Sequence, residues 1–124
     1  MQEAKIENEN EIGYISAHGT GTLYNDEMEA IAFQQTHLST IPMNSLKGFW
    51  GHTLGAAGII ESVATLLSLK NNILISSAGF SEPGVSAPVN IIRNSESASI
   101  TKALKTASGF GGCNAAAIFE KHGE

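Results

Sequence analysis

The sequence predicts an α/β fold built in layers, a mixed sheet of about five strands with helices on its faces. Three observations carry that expectation. β-prone runs alternate with helical segments and then predominate, in the order β-α-β-α-β-β-β. One run, AAGIIESVATLLSLK, is apolar around most of a helix circumference and asks for cover on nearly every side. Three glycine clusters, HGTGT at 18–22, KGFWGHTLGAAG at 47–58 and GFGGCNA at 109–115, sit where these segments end or begin.

In chain order, residues 1–10 form a polar lead-in and 11–124 a single domain. Ile12, Tyr14 and Ile15 make a short strand that stops at the first glycine cluster, so His18 stands just past a strand end. A helix is expected at about residues 26–38. Asn25 or Asp26 would cap it, Glu27 and Glu29 suit its first turn, and Met28, Ile31, Ala32 and Leu38 follow helical spacing. A connecting stretch through Pro42 and Lys47 leads to the apolar helix at 56–69. There Ala56, Ile59, Ile60, Val63, Leu66, Leu67 and Leu69 recur, and Glu61 is the one charge before Lys70. Strands are expected at 73–76, 89–92, 103–107 and 115–119, separated by SEPG, by the polar NSESAS stretch and by GFGG.

Bulk composition removes several function classes. A net charge of −5 without Lys/Arg clusters lacks the basic stripe that neutralises phosphates, which argues against nucleic acid. The one cysteine, Cys113, permits no intrachain disulfide and suits a reducing compartment. The polar N-terminus does not read as a signal peptide and no run of 18 apolar residues occurs, so the expected location is the cytoplasm, away from membranes.

Two histidines are the candidate catalytic residues. A histidine at a strand end is commonly a polar turn residue, but His18 is followed by Gly19, Thr20, Gly21 and Thr22. These supply permissive dihedrals, backbone N–H groups and two hydroxyls, as a pocket for a carbonyl or anionic oxygen requires. His52 stands between Gly51 and the apolar helix, whose first amides are placed to face an oxyanion. Lys47 precedes it by five residues as a possible orienting charge, or as a solvated loop cation. The glycine spacing matches neither G-x-G-x-x-G nor a GK[ST] loop, which disfavours nucleotide binding. Cys113 beside Asn114 suggests a Cys-His-Asn hydrolase, yet neighbours on a strand point to opposite faces, and Cys113 is expected to be a small buried space-filler. His18, His37, His52, His122 and Cys113 contain no pair at metal-ligand spacing.

Taken in order, HGTGT with Asp26 behind it, KGFWGHTLGAAGIIE, and GFGGCNA resemble the C-terminal half of β-ketoacyl-acyl-carrier-protein synthases and of the related ketosynthase domains of polyketide synthases. The resemblance runs over about residues 12–121. It implies that His18 and His52 hydrogen-bond the malonyl thioester carbonyl and stabilise the enolate left by decarboxylation. Lys47 would hold that network with Glu61 as its carboxylate partner, and Asp26 and Glu29 would orient the first histidine loop. Phe110 would gate the acyl pocket, its N–H serving the acyl-thioester oxyanion. Ser108 stands where many relatives carry a second aromatic ring, and Cys113 where threonine is common.

The resemblance also implies a thiolase fold, two similar halves with one helix from each buried in a central layer. The family's nucleophilic cysteine lies in the other half, so this chain reads as a fragment, split subunit or truncated product, inactive by itself. Its expected partners are a cysteine-bearing N-terminal half and an acyl-carrier protein with phosphopantetheine-linked acyl and malonyl groups, and the uncovered apolar helix favours a homodimer. The chemistry requires no metal or organic cofactor. Two alternatives are a non-catalytic ketosynthase-like interaction subunit and a Cys-dependent acyl hydrolase. Retention of both histidines and the lysine favours the enzyme, since a structural partner has no need of three such groups in one pocket.

Overall fold

A computed structural model of the chain describes residues 11–122; the polar lead-in at 1–10 lies outside them. Strand β1 (Tyr14–Ser16) is central in a four-stranded sheet of order β2-β1-β5-β6. Strand β2 (Met43–Asn44) and β5 (Lys102–Gly109) flank β1 in parallel, and β6 (Cys113–Glu120) closes the edge as an antiparallel hairpin partner of β5. Strands β3 (Ile73–Leu74) and β4 (Glu96–Ser97) form a separate antiparallel pair.

Alternation along the strands divides the core between two faces. Ile15, Ala17, Met43 and Leu104 pack with Phe33, Leu38 and Ile41 on the side of helix α1 (Leu23–Gln35). Tyr14 and Ala103 pack with Leu69, Leu74, Ile92 and Ile100 on the side of helix α3 (Ala57–Asn71). Because β1, β2 and β5 run parallel, their carboxyl ends open on one edge of the sheet. Residues following those ends, His18, Lys47 and Phe110, therefore share that edge, the usual place for a site in such a sheet.

Several sequence expectations are corrected by this arrangement. Helix α1 begins at Leu23 with Thr22 as its cap residue, not at Asn25 or Asp26, because the Asp26 carboxylate turns back to accept from Thr20 N (3.0 Å). It stops at Gln35, where His37 adopts a left-handed φ of 59° and Leu38 N–H reaches Phe33 O (2.8 Å). Its inward face is Glu29, Ala30 and Phe33, while Met28 and Ile31 face outward. An acid goes inside here because three donors await it.

The 73–76 strand is only two residues long and pairs with β4, inside the polar stretch read as a separator. The 89–92 segment forms an isolated parallel bridge, Met43 to Ile91, rather than a strand, and β2 arises from the stretch read as a connection. Cys113 is exposed, not buried, because among the described residues nothing covers the outer edge of the hairpin.

Helix α3 departs most instructively. Its buried residues are Ala57, Glu61, Thr65, Ser68 and Leu69, so a largely polar face is turned to the sheet. Ile59 is 67% exposed, and Val63, Leu66 and Leu67 are about half exposed. The helix carries apolar surface on the side that the described residues leave uncovered, which soluble monomers rarely do.

Candidate active site

Residues at the carboxyl edge of the sheet converge on His18. Its backbone N–H donates to Glu29 Oε1 (2.8 Å) and to Thr106 Oγ1 (3.2 Å), and Gly19 N–H donates to Glu29 Oε2 (2.8 Å). The Thr106 hydroxyl donates in turn to Glu29 Oε1 (2.6 Å). One carboxylate from α1 thus holds both the turn after β1 and the strand beside it. Gly19 lies at φ 39°, and an added Cβ there would come 2.6 Å from Ser45 Cβ, so only glycine permits this approach.

Lys47 opens the one-turn helix α2 (Lys47–Trp50) and is buried. Its three N–H groups meet three acceptors: His18 O (2.5 Å), Glu61 Oε1 (2.6 Å) and His18 Nδ1 (3.3 Å). An ammonium has no lone pair to offer, so His18 Nδ1 accepts and the ring proton resides on Nε2. Burial, with the Lys47 charge added, holds the His18 imidazole below its usual value and so keeps it neutral.

His52 follows Gly51, which turns the chain at φ 78°, and precedes a 3-10 turn (Leu54–Ala56) that enters α3. Leu54 N–H donates to His52 Nδ1 (3.1 Å), so this ring also carries its proton on Nε2. The sequence expectation had helix-start amides facing an oxyanion; this one is spent on the ring itself. The two imidazoles meet edge to face with centroids 5.3 Å apart. Both Nδ1 atoms are occupied by the protein, which leaves two neighbouring Nε2–H donors for a bound group.

His52 borders an open cleft of about 730 Å³. Gly19, Thr20, Asp26, Lys47, His52 and the 77–85 loop line it; His18, 5% exposed, lies between lining residues Ala17 and Gly19 without lining it. Phe110 stands fully exposed on the β5–β6 turn, apart from that lining. The structure therefore brings together His18, His52, Lys47, Glu61, Asp26 and Glu29, and leaves Phe110 outside the group.

The position of α2 depends on a close backbone approach. A Cβ added at Gly48 would lie 2.1 Å from Ala78 O. Gly48→Ala is expected to destabilise by at least the upper end of the usual overpacking range of about 1–3 kcal/mol. A thermal melt checks this, and an unchanged midpoint would mean that the 77–85 loop yields freely.

Sequence reasoning missed Lys105 and Thr106. Lys105, 3% exposed in the middle of β5, lies 2.7 Å from Glu61 Oε2. A signal was available: in ALKTA a lysine takes the same face as Ala103, which strand alternation turns inward.

The chain is similar to known proteins along most of its length. The family described as "Beta-ketoacyl synthase, C-terminal domain" matches residues 1–81. The chain is 36% identical over 110 residues to the polyketide biosynthesis malonyl-ACP decarboxylase PksF of Bacillus subtilis, covering 89% of this chain and 26% of that protein. It is 31% identical over 115 residues to the tetracenomycin polyketide synthase ketoacyl synthase alpha subunit of Streptomyces glaucescens, covering 90% and 27%. A solved type II polyketide synthase ketosynthase, AntDE, in complex with its acyl-carrier protein AntF, superposes with a TM-score of 0.91 at 32% identity, covering 98% of this chain and 31% of that one. The chain spans under a third of the length of each of these proteins. Among the described residues no helix is long and apolar enough to cross a membrane.

Proposed function

Because this chain belongs to the β-ketoacyl synthase family, as its C-terminal domain, we propose that it supplies the enolate-stabilising half of a decarboxylative Claisen condensation. Its fold is the C-terminal half of the thiolase-like fold. The observation that carries the functional reading is the pair of imidazoles 5.3 Å apart with both Nδ1 atoms occupied. When a malonyl thioester loses carbon dioxide, the electrons of the breaking C–C bond move onto the thioester oxygen. Two Nε2–H donors aimed at that oxygen would lower the barrier. The enolate carbon then attacks an acyl thioester on a cysteine, and the cysteine sulfur leaves as thiolate.

That cysteine belongs, on this reading, to the part of the longer relatives that the chain does not span. Acyl-carrier protein brings both substrates, a reading supported by the AntDE complex with AntF. The malonyl-ACP decarboxylase among the relatives supports the decarboxylation step in particular. Lys47 with Glu61 fixes the proton on His18, and Asp26 with Glu29 fixes its turn. Phe110 gates the acyl pocket once the other half is in place.

Reconstitution tests the proposal. Joined to a cysteine-bearing ketosynthase half, the chain is expected to restore decarboxylation of malonyl-acyl-carrier protein; a folded but inactive assembly would count against it. The pH profile adds a sign. His18 must be neutral to accept from Lys47, and its value is lowered, so the acid limb of decarboxylation is expected below the ordinary imidazole value of 6.5. An acid limb above that value would assign the chemistry elsewhere.

The complementary half also covers Ile59, Val63, Leu66 and Leu67. Without it the same face drives self-association, two copies imitating the twofold of the complete fold. Light scattering on the chain alone is expected to show mass rising with concentration, and a compact monomer throughout would contradict this.

A further inference from the structure

One buried cation has no part in the reaction proposed above. Lys105 projects from β5 into the layer between the sheet and α3, among oxygens supplied by four residues. Its ammonium donates to Ser16 O (3.2 Å), Ala17 O (3.3 Å) and Thr106 O (2.5 Å), and lies 2.7 Å from Glu61 Oε2 at angles outside hydrogen-bond geometry. Glu61, 1% exposed, is consequently shared: one oxygen faces Lys47 and the other faces Lys105.

This sharing bears on His18 in two ways. The carbonyls of Ser16 and Ala17 immediately precede His18, so Lys105 ties the end of β1 to β5 where the catalytic turn starts. A Glu61 carboxylate with its second oxygen unpartnered would be free to turn, and with it the Lys47 ammonium that also donates to His18 O and His18 Nδ1. We propose that Lys105 is a positioning residue for His18, acting by occupying the second oxygen of Glu61 and by clamping the backbone in front of the imidazole. The proposal rests on the functional reading above for its purpose, but its geometry stands without it.

Charge balance supports the same assignment. The groups facing His18 are Lys47 from α2, Glu29 from α1, Glu61 from α3, Lys105 from β5 and His52 from the loop before α3. Lys47 and Lys105 offset Glu29 and Glu61. Burial pushes the Lys105 ammonium below the ordinary lysine value, and Glu61 pulls the other way. The Lys105 charge also contributes to keeping His18 neutral.

The test uses the full chain and two NMR readouts, neither of which involves turnover. Lys105→Met keeps the length of the side chain and removes its charge. The His18 ring is then expected to titrate at higher pH than in the parent, with weakened protection of its Nδ1 side, while the exposed His37 signal stays in place. An unmoved His18 titration in a folded Lys105→Met chain, whatever its melting temperature, would show that Lys105 does not position His18 and would overturn the proposal. Should that variant not fold, the ζ-nitrogen spectrum of the parent decides. A slowly exchanging ammonium at neutral pH is expected for Lys105, and a neutral amine would refute the assignment. Failure of the condensation reading would appear in the reconstituted enzyme and leave both NMR results intact, so the two failures are distinguishable.

Discussion

His18→Ala and His52→Ala, each placed in a reconstituted enzyme, are expected to lower decarboxylation of the malonyl donor by on the order of 10²- to 10³-fold, the usual loss when one oxyanion donor is removed. Acyl loading onto the cysteine should fall far less, because loading develops its negative charge on a different thioester oxygen. The two variants should also differ from each other. His52 is exposed and its ring accepts one backbone N–H, so its loss should leave stability nearly unchanged. His18 is buried and receives a Lys47 N–H at Nδ1, so its removal leaves that donor without a partner and adds a stability cost of about 1–3 kcal/mol. Single-turnover decarboxylation and loading, measured separately on folded protein, check both statements. Equal losses in the two half-reactions would contradict the assigned roles.

Glu61→Gln is expected to give the largest loss of stability, about 3–5 kcal/mol, the range for leaving a buried charge without its partner. The carboxylate is almost wholly buried and lies within 2.6 Å of Lys47 Nζ and 2.7 Å of Lys105 Nζ. An amide of the same shape removes the charge that both ammoniums require while disturbing packing little. The double variant Glu61→Gln with Lys105→Met should recover part of the loss, because one of the two uncompensated cations is then gone. Denaturant midpoints of the parent, the single and the double variant measure this. A Glu61→Gln midpoint within about 1 kcal/mol of the parent would mean that the lysines find other partners, or that water reaches them.

Much of the site was legible in the sequence because its signals are local. HGTGT and GFWGH place each histidine beside glycines whose φ is positive in the structure, at Gly19, Gly21 and Gly51. Strand β1 and helix α3 were expected close to where they lie, because each is a run rich in apolar residues. Helix α1 was misplaced at its start because Asp26 has the residue type of a cap but spends its carboxylate on Thr20. Strand β2 escaped notice because two residues beside a proline carry no period; parallel pairing with β1 creates it. Strand alternation turns Lys105 inward, but two of its partners, Glu61 and Ser16, are 44 and 89 residues away, and no local pattern names them.

Residue types at short spacing were enough for the family resemblance, the layered α/β class and the candidate imidazoles. Tertiary structure alone decided which face of α3 is covered. Periodicity revealed a helix apolar nearly all round, yet the sheet took its polar side, Glu61, Thr65 and Ser68, and left Ile59, Val63, Leu66 and Leu67 outward. Two lysines, Lys47 from α2 and Lys105 from β5, neutralise Glu61 inside, and this makes burial of that face tolerable. A side chain's charge is written in the sequence, but the partner that allows it to leave water is assembled only when the chain has folded.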